Sequence, residues 1–157
     1  MIRSMKRMLA ASLIPALFLA APALSAGPQV YGARCAMCHK ADGAGAPGQF
    51  PRLNGRAAQI AGSPAGRAYL VKAVLFGVTG PITVDGRKIG GMMPAMGMMK
   101  DQDVADVLNH LVSLGKGGKP VKPFTPAEVK AVRDGGKVPP AAVGKEHVDL
   151  AARGVIP

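Results

Sequence analysis

Apolar residues along this chain fall into one unbroken run, several stretches of helical period and one short stretch of period two. The unbroken run, from Leu9 to Leu24, follows Arg3, Lys6 and Arg7 and ends in small residues, with Ala23-Leu24-Ser25 loosely fitting an A-x-A cleavage site. That is the pattern of a secretory signal peptide over 1–26, cleaved after Ser25 or Ala26. A retained membrane anchor fits less well, because the run is short and broken by Pro15 and Pro22. No later stretch is long and apolar enough to span a bilayer.

Beyond it, Val30, Tyr31, Arg34 and Cys35 fall at helical spacing and predict a first helix over 28–39. Gly43, Gly45, Pro47 and Gly48 mark a loop that continues to Gly55. Ser63 then Pro64 read as an N-cap and a first helical position, and Leu70, Val71, Val74 and Leu75 stripe a helix over 65–76 that Gly77 stops. Asp85-Gly86 between Ile82-Thr83-Val84 and Arg87-Lys88-Ile89 predicts a β-hairpin. A methionine-rich turn over 92–99 precedes a helix over 101–114, with Val104, Val107, Leu108, Leu111 and Leu114 on one face and Asp101 and Asp103 at its positive end. Gly117-Gly118-Lys119-Pro120 breaks the composition. After it, Thr125 and Glu128 fit a capping box, Gly135-Gly136 ends that helix, and a short helix is expected over 145–152. The expected organisation is one domain over 27–115 and an extension over 116–157 that wraps or docks, being too short and polar to hold a core of its own.

The 131 residues left after residue 26 suffice for one small domain, near the size at which a polypeptide core alone is marginal. They carry 17 of the 20 Lys and Arg and all nine acidic residues, so the net charge is 17 − 9 = +8. Such a balance suits an acidic partner surface or an anionic membrane face. Nucleic acid does not fit: the basic residues are spread out, aromatics are few and the chain is expected to be exported.

The two cysteines lie in Cys35-Ala36-Met37-Cys38-His39. A C-x-x-C-H run is the signature of covalent attachment of c-type haem. Residues three and four apart share a helical face, so both thiols reach one haem edge and His39 meets the iron from the same turn. A redox dithiol needs a βαβ context that is missing. A zinc site lacks a second Cys pair, with only three His in the chain. A disulfide would close a small strained loop. One covalent haem is therefore expected, and it would supply core that the polypeptide lacks.

An electron-carrying haem takes a sixth ligand, and methionine is the choice that raises the potential. Five methionines lie between positions 92 and 99. Met93 is the first choice because Pro94 stiffens the backbone after it; Met92 and Met96 are the alternatives. Met96, Met98 and Met99 are otherwise expected to pack the haem edge. A Cu(I) thioether site is the rival reading, disfavoured because the haem motif already needs a methionine partner.

With these motifs the chain resembles class I c-type cytochromes over about 27–114. Gly27 and Tyr31 match the small residue and aromatic ahead of the family's haem motif, Pro51-Arg52-Leu53-Asn54-Gly55 matches its P-x-L-x-G run, and Met93-Pro94-Ala95 its distal signature. The resemblance implies a mostly α fold of about four helices around one haem, with the small hairpin before the methionine loop. It also implies that the Pro51 carbonyl accepts a hydrogen bond from His39 and that Pro51 and Leu53 belong to the haem site. Where the family usually carries an aromatic on its last helix, this chain has His110, whose flat ring is expected to pack against Tyr31. The longer hairpin is similar to that of cytochromes fed by periplasmic dehydrogenases. His147, between charged neighbours, reads as a solvated surface residue.

The implied function is a periplasmic one-electron carrier, not an enzyme, with redox protein partners steered by Lys40, Lys88 and Lys100. The second reading is a cytochrome subunit of a dehydrogenase or oxidase, docked through 116–157. The third is a haem enzyme or gas sensor with a labile distal ligand. No paired carboxylates, Ser-His-Asp set or phosphate loop supports catalysis by the polypeptide itself.

Overall fold

The structure is a computed structural model that describes residues 26–115 and 120–157. The expected signal peptide, up to its last residue, and the break at Gly117-Gly118-Lys119 lie outside the described residues.

The first predicted helix is two pieces, α1 (Gly27–Arg34) and α2 (Ala36–His39). Cys35 leaves helical geometry at φ −120° and ψ −37°, yet hydrogen bonds from Cys35 N to Tyr31 O (2.8 Å) and from His39 N to Cys35 O (2.9 Å) keep the turns joined. The haem motif therefore occupies a turn of its own. A helix absent from the sequence reading, α3 (Arg56–Ile60), follows the glycine-rich loop. It has five residues, too few for a visible period. Next comes α4 (Pro64–Phe76), with the Ser63 hydroxyl accepting the Gly66 N–H at 3.0 Å as its N-cap.

Four short strands separate α4 from the next helix. β1 (Val78–Thr79) pairs antiparallel with β4 (Met92–Met93), in the register Val78 to Met93. Between them β2 (Ile82–Val84) and β3 (Arg87–Ile89) form the predicted hairpin, pairing Ile82 with Ile89. Asp85 and Gly86 both take positive φ, 49° and 74°, as a tight turn matching strand twist requires. α5 (Asp101–Ser113) buries Val104, Val107, Leu108 and Leu111, as its stripe predicts.

The N-terminal helix packs on α5 at close range. A Cβ at Gly27 would lie 2.4 Å from Asp106 O, so only glycine permits this approach. Tyr31 is buried and packs against the His110 ring as expected, with centroids 5.2 Å apart and planes inclined by 57°.

The tail forms α6 (Pro126–Asp134) and α7 (Pro140–Ala152). Thr125 Oγ1 accepts the Glu128 N–H at 3.2 Å. The Glu128 carboxylate turns instead to Arg67, at 2.8 and 2.7 Å. α7 starts at Pro140, earlier than expected, because Pro139-Pro140 opens the helix rather than preceding it. Phe124, Val129, Val143, Leu150 and Ile156 join the same buried cluster as α4 and α5. Asn109 on α5 ties the tail further, accepting from Phe124 N (2.7 Å) and donating to Phe124 O (3.0 Å). The mostly α expectation holds: among the described residues the domain over 27–115 has five helices against about four expected, the haem motif forming a turn separate from α1, and the tail adds two.

Candidate haem site

α2, the loop over 49–53, α4, the hairpin, β4 and α5 enclose one cavity. Cys35, Cys38 and His39 line it, as do Pro51, Leu53, Met92, Met93 and Met96. Residues far apart in sequence thus converge on one space. Leu70 and Val74 of α4, Ile82 and Ile89 of the hairpin, and Leu108 and Leu111 of α5 complete an apolar wall. The space open to water centres is about 210 Å³. One water needs about 10–15 Å³ on that measure, so the cavity suits a large, mostly apolar group.

His39 is 7 % exposed, and its Nδ1–H donates to the Pro51 carbonyl at 3.0 Å. Since a carbonyl can only accept, Nδ1 carries the proton and Nε2 keeps a free lone pair. Burial lowers the pKa of the imidazole, with the Pro51 bond opposing in part. The ring is thereby held neutral, the state in which it can ligate a metal. Burial pushes the Cys35 thiol up to about 11, with the charge of Cys38 adding to the shift.

Met93 is half-buried on β4. Gly77 lies beneath it at φ 77°, and a Cβ there would come within 2.5 Å of Met93 O. The loop after Met93 is tied back to α4 by Met96 N donating to Val74 O at 2.9 Å. Met92 is 70 % exposed although it reaches the cavity rim. Met98 is fully exposed, and neither it nor Met99 lines the cavity. The expectation that both pack the haem edge is corrected: the chain leaves the cavity after Met96 to begin α5.

Three buried polar side chains on the cavity wall escaped the sequence reading: Arg56 of α3, Tyr69 of α4 and His147 of α7. His147 is 2 % exposed, with Nδ1 2.9 Å from Tyr69 Oη and Nε2 3.5 Å from Thr83 O. Its expected place on the solvated surface is therefore wrong. Val143, His147 and Leu150 fall at i, i+4 and i+7, and this stripe, not the charged neighbours, sets which face is buried. Burial lowers the His147 pKa, and the Arg56 charge lowers it further against the Thr83 bond. Burial raises the Tyr69 hydroxyl to about 12. Arg56 donates to the Pro157 main-chain oxygen, and burial lowers its pKa from the usual arginine value. Arg34 and Arg52 are the other cations on the lining; Lys40, Lys88 and Lys100 are exposed but do not line it.

The residues present fit a haem. The donor set is two thiols three residues apart, an imidazole nitrogen and a choice of thioethers; the wall is apolar; and a buried guanidinium suits a ligand that carries carboxylates. Among the described residues no group of three or more His, Cys, Asp and Glu gathers to hold a bare ion.

Comparison with known proteins agrees. The family model described as Cytochrome c matches residues 24–115. A cytochrome c-552 of Thermus thermophilus is 43% identical over 110 residues, covering 68% of this chain and 83% of that protein. A second cytochrome c-552 of the same species is 43% identical over the same length, covering 74% of that protein. The cytochrome c subunit of a quinone alcohol dehydrogenase from Gluconobacter oxydans is 34% identical over 87 residues, 55% of this chain and 18% of the subunit.

Proposed function

The chain belongs to the cytochrome c family, electron-transfer proteins of class I with covalent c-type haem, and from that premise we propose a periplasmic one-electron carrier with His39 and Met93 as axial ligands. The observation that carries this reading is that Cys35, Cys38, His39 and Met93 line one cavity. When bound, the haem supplies one-electron Fe(III)/Fe(II) chemistry.

Each residue has a task in that reading. Cys35 and Cys38 hold the group through thioethers. His39 presents Nε2, kept in that tautomer by the Pro51 carbonyl. Met93 offers its sulfur from a strand fixed by pairing with Val78, with Met92 or Met96 as the substitutes. Leu53 and the walls of α4 and α5 exclude water. The guanidinium of Arg56, on the cavity wall with Tyr69 and His147, would receive carboxylates of the group.

The reading extends to the whole chain. Residues 1–26 serve as the export signal, 27–115 form the haem domain, and 116–157 are an extension laid over it. No helix among the described residues is long and apolar enough to cross a membrane. The partners are redox proteins with acidic docking surfaces, steered by the exposed Lys40, Lys88 and Lys100. The dehydrogenase-subunit relative favours one further reading, in which this chain serves a periplasmic dehydrogenase as its cytochrome component.

The test is a pyridine haemochrome spectrum with the intact mass of the exported protein. One covalent haem is expected, and the double variant Cys35→Ser, Cys38→Ser loses it together with much of the stability. A native protein without covalent haem, or a well-folded haem-free double variant, would overturn the reading.

A further inference from the structure

The methionine loop is held from behind by the tail. Arg133, on α6, sends its guanidinium into the segment between Met93 and α5. Nε donates to Asp101 Oδ1 at 2.8 Å, Nη2 to Met99 O at 2.8 Å, and Nη1 to Gly97 O. These partners lie 32 to 36 residues away in sequence. Asp101 is the first residue of α5, and Lys100 before it offers no side-chain cap. One planar cation therefore joins two carbonyls of the loop to the start of the helix that follows.

The tail also reaches the strand that carries Met93. A Cβ on Gly144 of α7 would lie 2.2 Å from Thr79 O, so the α7 backbone rests directly on β1. β1 in turn pairs with β4, Thr79 opposite Met92 and Val78 opposite Met93. The segment around Met93 is thus backed by α7 at one end and pinned by α6 at the other.

We propose that Arg133 is a positioning residue for the distal methionine, so that the C-terminal extension sets how readily that sulfur gives up its place to a competing ligand. The proposal rests on Met93 being the axial ligand. A different arginine provides the control. Arg67 of α4 anchors the same tail, through Glu128, the carbonyls of Lys122 (2.7 Å) and Pro123 (3.2 Å), and the Phe124 ring at 3.9 Å, and none of these partners lies in the methionine loop. Loss of Arg67 loosens the tail in general; loss of Arg133 releases the loop in particular.

The experiment uses full-length ferric holoprotein: wild type, Arg133→Ala, Arg133→Lys, Arg67→Ala and Met93→Ala. Imidazole is titrated in and followed by loss of the red charge-transfer band of the iron–thioether bond. Global stability is measured in parallel by denaturant. Arg133→Ala is expected to bind imidazole about tenfold more tightly than wild type, which corresponds to about 1.4 kcal/mol. Arg133→Lys, which keeps the charge but cannot span two carbonyls and a carboxylate, is expected to fall between, and decides the matter if the alanine variant does not fold. Arg67→Ala is expected to lose stability while its imidazole affinity stays within about twofold of wild type. Unchanged affinity in both Arg133 variants, or an equal gain in Arg67→Ala, overturns the proposal while leaving Met93 as the ligand. A band that survives in Met93→Ala overturns the ligand assignment and the proposal with it.

Discussion

Lys40, directly after His39, adopts φ 62° and ψ 161°, a conformation that residues with side chains rarely enter. Such a backbone costs about 1–3 kcal/mol, and the Tyr31 hydroxyl offsets part of it by donating to the Lys40 carbonyl at 2.6 Å. Tyr31 thus both fills the α1–α5 contact and fixes the exit from the haem motif. His147 is the residue with a testable pH signature. Facing it are Tyr69 Oη from α4, the Thr83 carbonyl from β2 and the charge of Arg56 from α3. Its imidazole titrates at 6.5 in an unfolded chain and lower in the fold. Below 6.5 the unfolded chain takes up the proton first, so the contribution of His147 is complete above 6.5 and declines as pH falls towards the folded pKa. His147→Gln should therefore be less stable than wild type at neutral pH, with the gap in denaturant stability narrowing as the pH is taken well below 6.5. A gap that stays constant would show that His147 does not titrate differently in the fold. Sequence reading missed this residue because it weighed Lys145 and Glu146 beside it above the Val143–Leu150 stripe. Arg133 had no signal to find, since two of its three partners are backbone carbonyls.

At the scale of elements, legibility followed length and period. α4 and α5 were readable because their apolar residues repeat over three turns and their ends carry Ser63, Gly77 and Asp101. The hairpin was readable from Asp85-Gly86, whose positive φ values are what the turn demands. The β1–β4 pairing was not: two residues per strand carry no period, and the pairing spans the whole hairpin. Yet it is the pairing that holds Met93, and Gly77, just before β1, packs closely against the Met93 carbonyl. In Gly77→Ala the new Cβ meets Met93 O, and φ 77° is strained for any side chain. We expect this variant to lose about 1–3 kcal/mol in denaturant unfolding together with intensity of the red charge-transfer band. Wild-type stability with an unaltered band would mean that the β1–β4 register is not held as described.

At the scale of the molecule, the polypeptide wraps a cavity rather than filling its centre. Apolar side chains from the domain and the tail form one cluster, and the cavity wall is part of it. A haem held in that cavity would add apolar core to a chain with few aromatics. The C-x-x-C-H run, the P-x-L-x-G run and the Met-Pro-Ala run were legible because each is a local string with a chemical reason. Their convergence on one cavity, and the polar wall of Arg56, Tyr69 and His147, depend on tertiary packing that no local string encodes. The most direct test of the central claim is the proton NMR spectrum of the reduced protein, in wild type and Met93→Leu. A methionine methyl seated over a porphyrin is shifted far upfield by the ring current. One such methyl is expected in wild type and none in Met93→Leu; its absence from wild type, or its persistence in Met93→Leu, would contradict ligation by Met93.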